Sequence, residues 1–354
     1  MTATYLYNDP AGKLSDIQYP ATPSLNVHIT YDSYGRPASM SDSTGTQTYQ
    51  YDDLNNVTSV TTTYNGPMPG TMLPPKTISY GFFPDGSRAS MTTPAGTFMS
   101  TYDGDARLVG LTNPSNEPSS WGYQDNGLLT TQQLSSAPGA VVATTTYARN
   151  PVGFITDLTT RNGANALLSE FGAMTADANG NRTGLTATVP GVSGFSGTEG
   201  FTYDDGLRLA HELSSRGVGF GNYFGYDETW NATQLRGVSQ TYNADNQNTA
   251  VAYDNNGNPT TNQGNSLTFD PECRLITYGA ALTAGYTGDG LRAWKQTASG
   301  RIYFLYDGAT PVLEMDASGN TTAVNTFGAN GLVSRRAGGA TVFYTFDPQG
   351  ALCQ

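Results

Sequence analysis

The stretch "YDSYGRPASM" (residues 31–40) decides the fold, because the chain keeps restating it. Variants follow as "YDDLNNVTSV" (51–60), "YDGDARLVGL" (102–111), "YDDGLRLAHE" (203–212) and "FDPECRLITY" (269–278). Each part has a physical reason. An aromatic at the end of a strand buries a ring while its hydroxyl stays wet. The Asp after it accepts from backbone N–H groups two residues on, closing an Asx-turn. Three residues past the Asp stands a residue that tolerates positive φ, as at Gly35, Asn55, Gly257 and Gly350. Arg or Asn often follows, and alternating apolar and Thr/Ser residues then open the next strand, as in "RLVGLT" (107–112) and "RLITYG" (274–279).

Aligning the aromatic of each unit gives Tyr31, Tyr51, Tyr80, Tyr102, Tyr123, Tyr147, Phe171 and Tyr203, then Tyr226, Tyr242, Tyr253, Phe269, Tyr286, Tyr306, Phe327 and Phe346. From 31 to 346 there are 15 intervals over 315 residues, a mean of 21, which is a repeat-protein period. The residues that define the repeat are Tyr31, Asp32, Gly35 and Arg36, Tyr51 and Asp52, and Tyr102, Asp103 and Arg107. The later units add Tyr203, Asp204 and Arg208, Tyr226 and Asp227, Tyr253, Asp254 and Gly257, Phe269, Asp270 and Arg274, and Tyr306 and Asp307. Six Asn-Gly and five Asp-Gly pairs mark further hairpin turns, so each 21-residue unit holds two strands and the chain roughly 30. The expected architecture is a single continuous array over 1–354, all-β, a coiled sheet of antiparallel hairpins. Longer intervals place loop insertions near 65–75, 133–142 and 184–200.

Composition agrees. Only 13% of the 354 residues are charged, against about 25% in an ordinary soluble domain, while Gly (42) and Tyr (22) are abundant. The net charge of −12, with no basic cluster, argues against nucleic acid as a partner. No apolar run is long enough to predict a membrane span, and the first residues lack the features of a signal peptide. The chain starts and stops inside the repeat, so it reads as an excerpt of a longer protein.

In its best units, "YDSYGRP", "YDGDARL", "YDDGLRL", "YDNNGNP" and "FDPECRL", the chain resembles the Tyr-Asp (YD) repeat of the Rhs family. The family includes bacterial polymorphic toxins, shell subunits of insecticidal toxin complexes, and teneurins. The resemblance implies a segment of a hollow β-shell in a secreted or cell-surface protein. Its implied partners are further shell repeats and an enclosed C-terminal toxin domain. The family's Asp-Pro-x-Gly-Leu cleavage motif is matched by Asp347, Pro348 and Gly350, but Ala351 stands where Leu is expected. The segment is therefore read as one more turn, and no self-cleavage is carried over.

Residues suited to catalysis or metal binding are few. His28 and His211 are the only histidines and read as strand or surface side chains, and Cys273 and Cys353 as isolated thiols. "GVSGFSG" (191–197) does not satisfy the Gly-x-Ser-x-Gly elbow. "DANGN" (177–181) and "DNNGN" (254–258) group oxygens as calcium loops do, but lack the bidentate acid and are read as Asx-turns. No cofactor, metal or catalytic residue is predicted, and the chain is read as a non-enzymatic encapsulating scaffold. The rival reading is an extracellular adhesion module for glycans or proteins, with Trp121, Trp230 and Trp294 as the rings to suspect first. A hydrolase is a distant third.

Overall fold

The computed structural model describes residues 2–217, 221–348 and 350. Among these the chain forms 31 β-strands and one 3-10 turn, Pro23–Leu25, so the fold is all-β as the repeat predicts. Two compact units result. One contains Met1–Ser100, Val251–Phe327 and Ser334–Thr341, and the other Thr101–Ala250, Gly328–Val333 and Val342–Gln354.

Within each unit, successive strands pair antiparallel with their neighbours in sequence. In the first unit, Val27–Tyr31 pairs with Pro37–Asp42, which pairs with Gly45–Tyr51, which pairs with Val57–Tyr64. In the second, the run from Leu129–Ser135 through Val141–Arg149, Ile155–Asn162 and Leu167–Ala176 to Arg182–Thr188 is built in the same way. Neither run closes on itself among the described residues; Thr4–Leu6, for example, pairs only with Asp16–Gln18.

The Asp turn imposes a recurrent irregularity. Thr30 faces Ser39 but Tyr31 faces Pro37, so the register slips by one residue at the aromatic before the turn. The same slip falls at Tyr51, Tyr123, Tyr203, Tyr226, Phe269 and Tyr286. This is the bulge expected when a type I turn is followed by a residue with positive φ, and it increases local twist. Gly35 (φ +77°), Asn55 (+67°), Gly257 (+82°) and Gly350 (+84°) occupy that position.

Alternation along the strands supplies the cores. In the first unit Tyr64 and Tyr303 pack with ring centroids 5.3 Å apart, and Ile78, Leu305, Leu313 and Met315 are fully buried. Both hydroxyls are satisfied by backbone: Tyr64 donates to the Phe304 carbonyl (2.5 Å) and Tyr303 to that of Asn65 (2.9 Å). In the second unit Leu158, Phe171, Met174, Leu185, Ala187 and Val189 form one cluster. Thr145 and Thr160 share a buried hydroxyl–hydroxyl bond of 2.9 Å.

The long intervals are accommodated locally. Residues 65–75 make a turn closed by an Asn65–Met72 bridge, and 133–142 holds the paired ends of strands Leu129–Ser135 and Val141–Arg149 with the hairpin tip at 136–140 between them. The stretch 184–200 holds parts of strands Arg182–Thr188 and Gly197–Tyr203, paired across an intervening turn.

Candidate functional site: the turn that joins neighbouring repeats

At residues 32–36, the Asp32 amide donates to the Arg36 carbonyl (2.8 Å) and the Gly35 amide to the Asp32 carbonyl (2.9 Å). Asp32 Oδ1 accepts from the amides of Tyr34 and Arg36, both at 2.9 Å, and Oδ2 accepts from Arg36 Nε at 2.7 Å. One carboxylate thus satisfies two backbone donors and fixes the side chain four residues on. The same pattern recurs at Asp103 with Arg107, Asp204 with Arg208 and Asp270 with Arg274. Asn56, Asn181, Asn231, Asn258 and Asn320 replace the Arg at other turns and bond the same carboxylate oxygen.

Where Arg is present, its outer nitrogen reaches the following repeat. Nη1 donates to the turn carbonyl there: Arg36 to Asp52 (3.2 Å), Arg107 to Gln124 (3.0 Å), Arg208 to Asp227 (3.0 Å) and Arg274 to Thr287 (3.2 Å). Each guanidinium also lies over the aromatic before that turn, at 4.4 Å from Tyr51, 5.2 Å from Tyr123, 4.7 Å from Tyr226 and 5.1 Å from Tyr286. The tyrosine answers in the opposite direction. Its hydroxyl donates to the carbonyl just after the Arg: Tyr51 to Pro37, Tyr123 to Leu108, Tyr226 to Leu209 and Tyr286 to Leu275, at 2.8–3.1 Å. Each joint therefore has an ion pair, a charge-assisted bond, a ring–cation contact and a returning hydroxyl. After turns without the Arg the hydroxyl still crosses, as from Tyr203 to the Arg182 carbonyl and from Tyr306 to that of Arg292.

The carboxyls of Asp52, Asp103, Asp177, Asp204, Asp227, Asp254 and Asp316 sit below the usual range. The side-chain bond from Arg208, and then its backbone amide, lower Asp204; the Arg107 amide leads at Asp103, and at Asp52, Asp177, Asp227, Asp254 and Asp316 the Asn amide does. At "DANGN" and "DNNGN" the carboxylate oxygens are thereby engaged by their own turns. Among the described residues no cluster of three His, Cys, Asp or Glu side chains has metal-binding geometry.

The aromatic frame misses several turns. Tyr80, Tyr147 and Phe171 lie within strands Lys76–Phe82, Val141–Arg149 and Leu167–Ala176, and Phe171 belongs to the core. The turns near them begin at Phe83, Asn150 and Asp177. Asn113, Asn162 and Asp316 open further turns of the same kind with no aromatic before them. Their signal is Asx-x-x-Gly/Asn, as in "NPSNE", "NPVGF" and "DASGN". Asp307 does not cap a turn of this kind: it begins a two-residue hairpin and accepts from Tyr80 and Arg88 instead.

The remaining candidates separate by burial. Trp121 is buried and donates to Asn330 Oδ1 (3.1 Å), Trp294 lies under Arg301 (3.9 Å), and Trp230 is 67% exposed beside Arg208. His28 bonds Asp16 at 2.8 Å, His211 packs edge-on against Tyr223, and Cys273 is an exposed free thiol at a turn. Cys353 and Ala351 lie outside the described residues.

Comparison with known proteins adds a repeat match and a likeness of fold. The model described as RHS Repeat matches residues 31–66. No curated protein matches the chain. Among solved structures, it is similar to the crystal structure of TcdB2-TccC3, with TM-score 0.58, 13% identity, and coverage of 94% of this chain and 23% of that one. The same protein without its hypervariable C-terminal region gives 0.55 and 13%, covering 95% and 23%. The Tc holotoxin pore of Photorhabdus luminescens gives 0.51 and 14%, covering 99% and 24%. The chain thus spans less than a quarter of those chains, and at such identity the likeness is one of fold. Residues 31–66 thus match an Rhs repeat, the same Asp-centred turn recurs through both units, and the fold is similar to that of the TcdB2-TccC3 structures.

Proposed function

We propose that the chain is a wall segment of a secreted Rhs-type shell, acting by confinement and without catalysis. The observation that carries this reading is the joint. Each Arg binds its own turn and the next turn, and each Tyr binds back, so repeats are fastened to neighbours rather than arranged around a reacting centre. Sequential pairing, as along Val27–Tyr31 to Val57–Tyr64 and Leu129–Ser135 to Arg182–Thr188, gives strands a partner on each side, which is what a thin wall between two aqueous spaces requires. The set Tyr31, Asp32, Gly35, Arg36 and its counterparts defines the repeat, and the array continues through both units. The partners on this reading are further repeats of the same parent protein and a polypeptide domain enclosed by them. Likeness of fold to the TcdB2-TccC3 structures supports it.

The test is an electron cryo-microscopy map of the full-length parent protein, combined with limited proteolysis. The reading predicts a continuous β-wall around internal density, with the enclosed segment protected until the wall is opened. A parent whose repeats surround nothing, or whose other domains are cleaved at the rate of free chains, would refute it.

A further inference from the structure

In the second unit a pocket of about 300 Å³, at the lower end of small-ligand sites, lies against the turns at 150–154 and 177–181. Arg149, which ends strand Val141–Arg149, and Arg182, which begins Arg182–Thr188, both line it, and no carboxylate does. Elsewhere many arginines are matched to acids, Arg88 to Asp307, Arg216 to Glu199 and Arg335 to Glu314, besides the turn pairs. Among the described residues Arg149 and Arg182 form no ion pair. Arg149 is held by carbonyl dipoles alone: Nη1 donates to Gly153 (3.0 Å) and Nη2 approaches Leu129 at 3.5 Å, while its buried Nε has no partner. The acid of the flanking turn, Asp177, has both oxygens committed to Asn179 and Asn181. Phe154, Ile155 and Met174 supply an apolar face. The Phe154 ring is seated on the glycine of the neighbouring turn, where a Cβ at Gly180 would stand 2.9 Å from its Cζ, and it remains 44% exposed.

We infer that this pocket binds a small organic anion, an oxyanion head on an apolar body the size of an aromatic ring. Three features select that chemistry. Two guanidiniums and no acid give the lining a charge of +2 in a chain of net −12, and low-dielectric walls concentrate that field. Guanidinium N–H groups match the oxygens of a carboxylate or phosphate head, and both heads share this chemistry. Neutral donors stand beside them. Asn150 spends its oxygen on the amides of Val152 and Phe154, and among the described residues its NH2 group and the Thr156 hydroxyl have no partner. The third feature is the apolar face, which a bare inorganic anion would leave uncovered. A neutral aromatic would cover that face but displace water from the cations without replacing it. A polyanion is disfavoured by the small volume and by the charge of the chain. This inference goes beyond the wall reading and does not depend on it.

The experiment is a saturation-transfer NMR titration of the whole chain with phenylacetate, phenyl phosphate, 2-phenylethanol and 2-phenylethylamine, and with acetate and inorganic phosphate as heads without a body. At least one aryl anion should bind saturably, about tenfold or more tighter than the alcohol, the amine and its own bare head. The tighter of the two aryl anions identifies the head. Arg182→Gln, which removes a side chain with no ion pair in the protein, should weaken that binding about tenfold at an unchanged melting temperature. Arg236→Gln makes the same charge change on an exposed turn outside the pocket and should leave the affinity as it is. The comparison among ligands needs no variant. The inference fails if neither aryl anion binds, or if the alcohol, the amine or the bare head binds as tightly. It fails equally if Arg182→Gln binds as wild type does, or if Arg236→Gln weakens binding as much as Arg182→Gln.

Discussion

Replacing Arg208 by Ala removes every contact that this side chain makes across its joint. The guanidinium pairs with Asp204 at 2.7 Å with side-chain exposures of 19% and 28%, donates to the Asp227 carbonyl at 3.0 Å, and covers Tyr226 at 4.7 Å. The i,i+4 ion pair contributes about 0.5 kcal/mol, the charge-assisted bond about 1, and the ring contact about 0.5. The bond is set at the low end because the Asp227 carbonyl keeps a second donor, the Trp230 amide at 3.2 Å. The joint should therefore weaken by about 2 kcal/mol, which raises local opening about thirtyfold. Because a repeat array opens piecewise, native-state hydrogen exchange is the suitable assay. Acceleration should appear at the amides of residues 204–208 and also of 227–231, the next turn. Arg161→Ala, which loses only a 3.3 Å bond to the Asn165 carbonyl within its own turn, should shift exchange by less than about 0.5 kcal/mol. Acceleration confined to 204–208, or equal in the two variants, would refute the inter-repeat role.

Two further outcomes follow from the turns. Asp204 has its carboxyl lowered by Arg208, so its contribution is present above the unfolded carboxylate value of about 3.9 and fades as pH falls through the lower folded value. Asp204→Asn should accordingly be less stable than wild type at neutral pH, with the gap narrowing in urea titrations as pH falls below about 3.9; a gap that stays constant would count against the linkage. Ala106 (φ +60°) and Leu207 (φ +60°) hold the turn position that other repeats give to Gly, so Ala106→Gly and Leu207→Gly should each raise stability by about 0.5–1 kcal/mol. Lower melting temperatures for both would contradict that reading.

Much of this was legible because the repeat is local. Tyr31-Asp32 and Gly35-Arg36 encode a turn whose bonds span four residues, and a short-range motif repeated many times announces an array. Composition alone gave strands over helices. The errors came where the aromatic was used as the marker. Tyr80, Tyr147 and Phe171 are core-facing or mid-strand rings, and in an all-β chain such rings occur for burial as readily as for turns. The acid or amide followed by Gly or Asn three residues on is the steadier signal, because it alone supplies the capping oxygen and the positive φ. The joint itself was out of reach. Arg36 and Tyr51 are 15 positions apart, and only the register across the hairpin sets the guanidinium 4.4 Å from that ring. The pocket is less legible still, since Arg149 and Arg182 share no local pattern.

The central claim, that neighbouring repeats are energetically tied through Arg and Tyr, is tested most directly by a double-mutant cycle on Arg208 and Tyr226. Arg208→Ala and Tyr226→Leu are made singly and together, and the opening free energy of residues 226–231 is read by hydrogen exchange. The account predicts a coupling of about 0.5–1 kcal/mol, with Tyr226→Phe retaining most of it because the ring remains. Strict additivity of the two substitutions would contradict it.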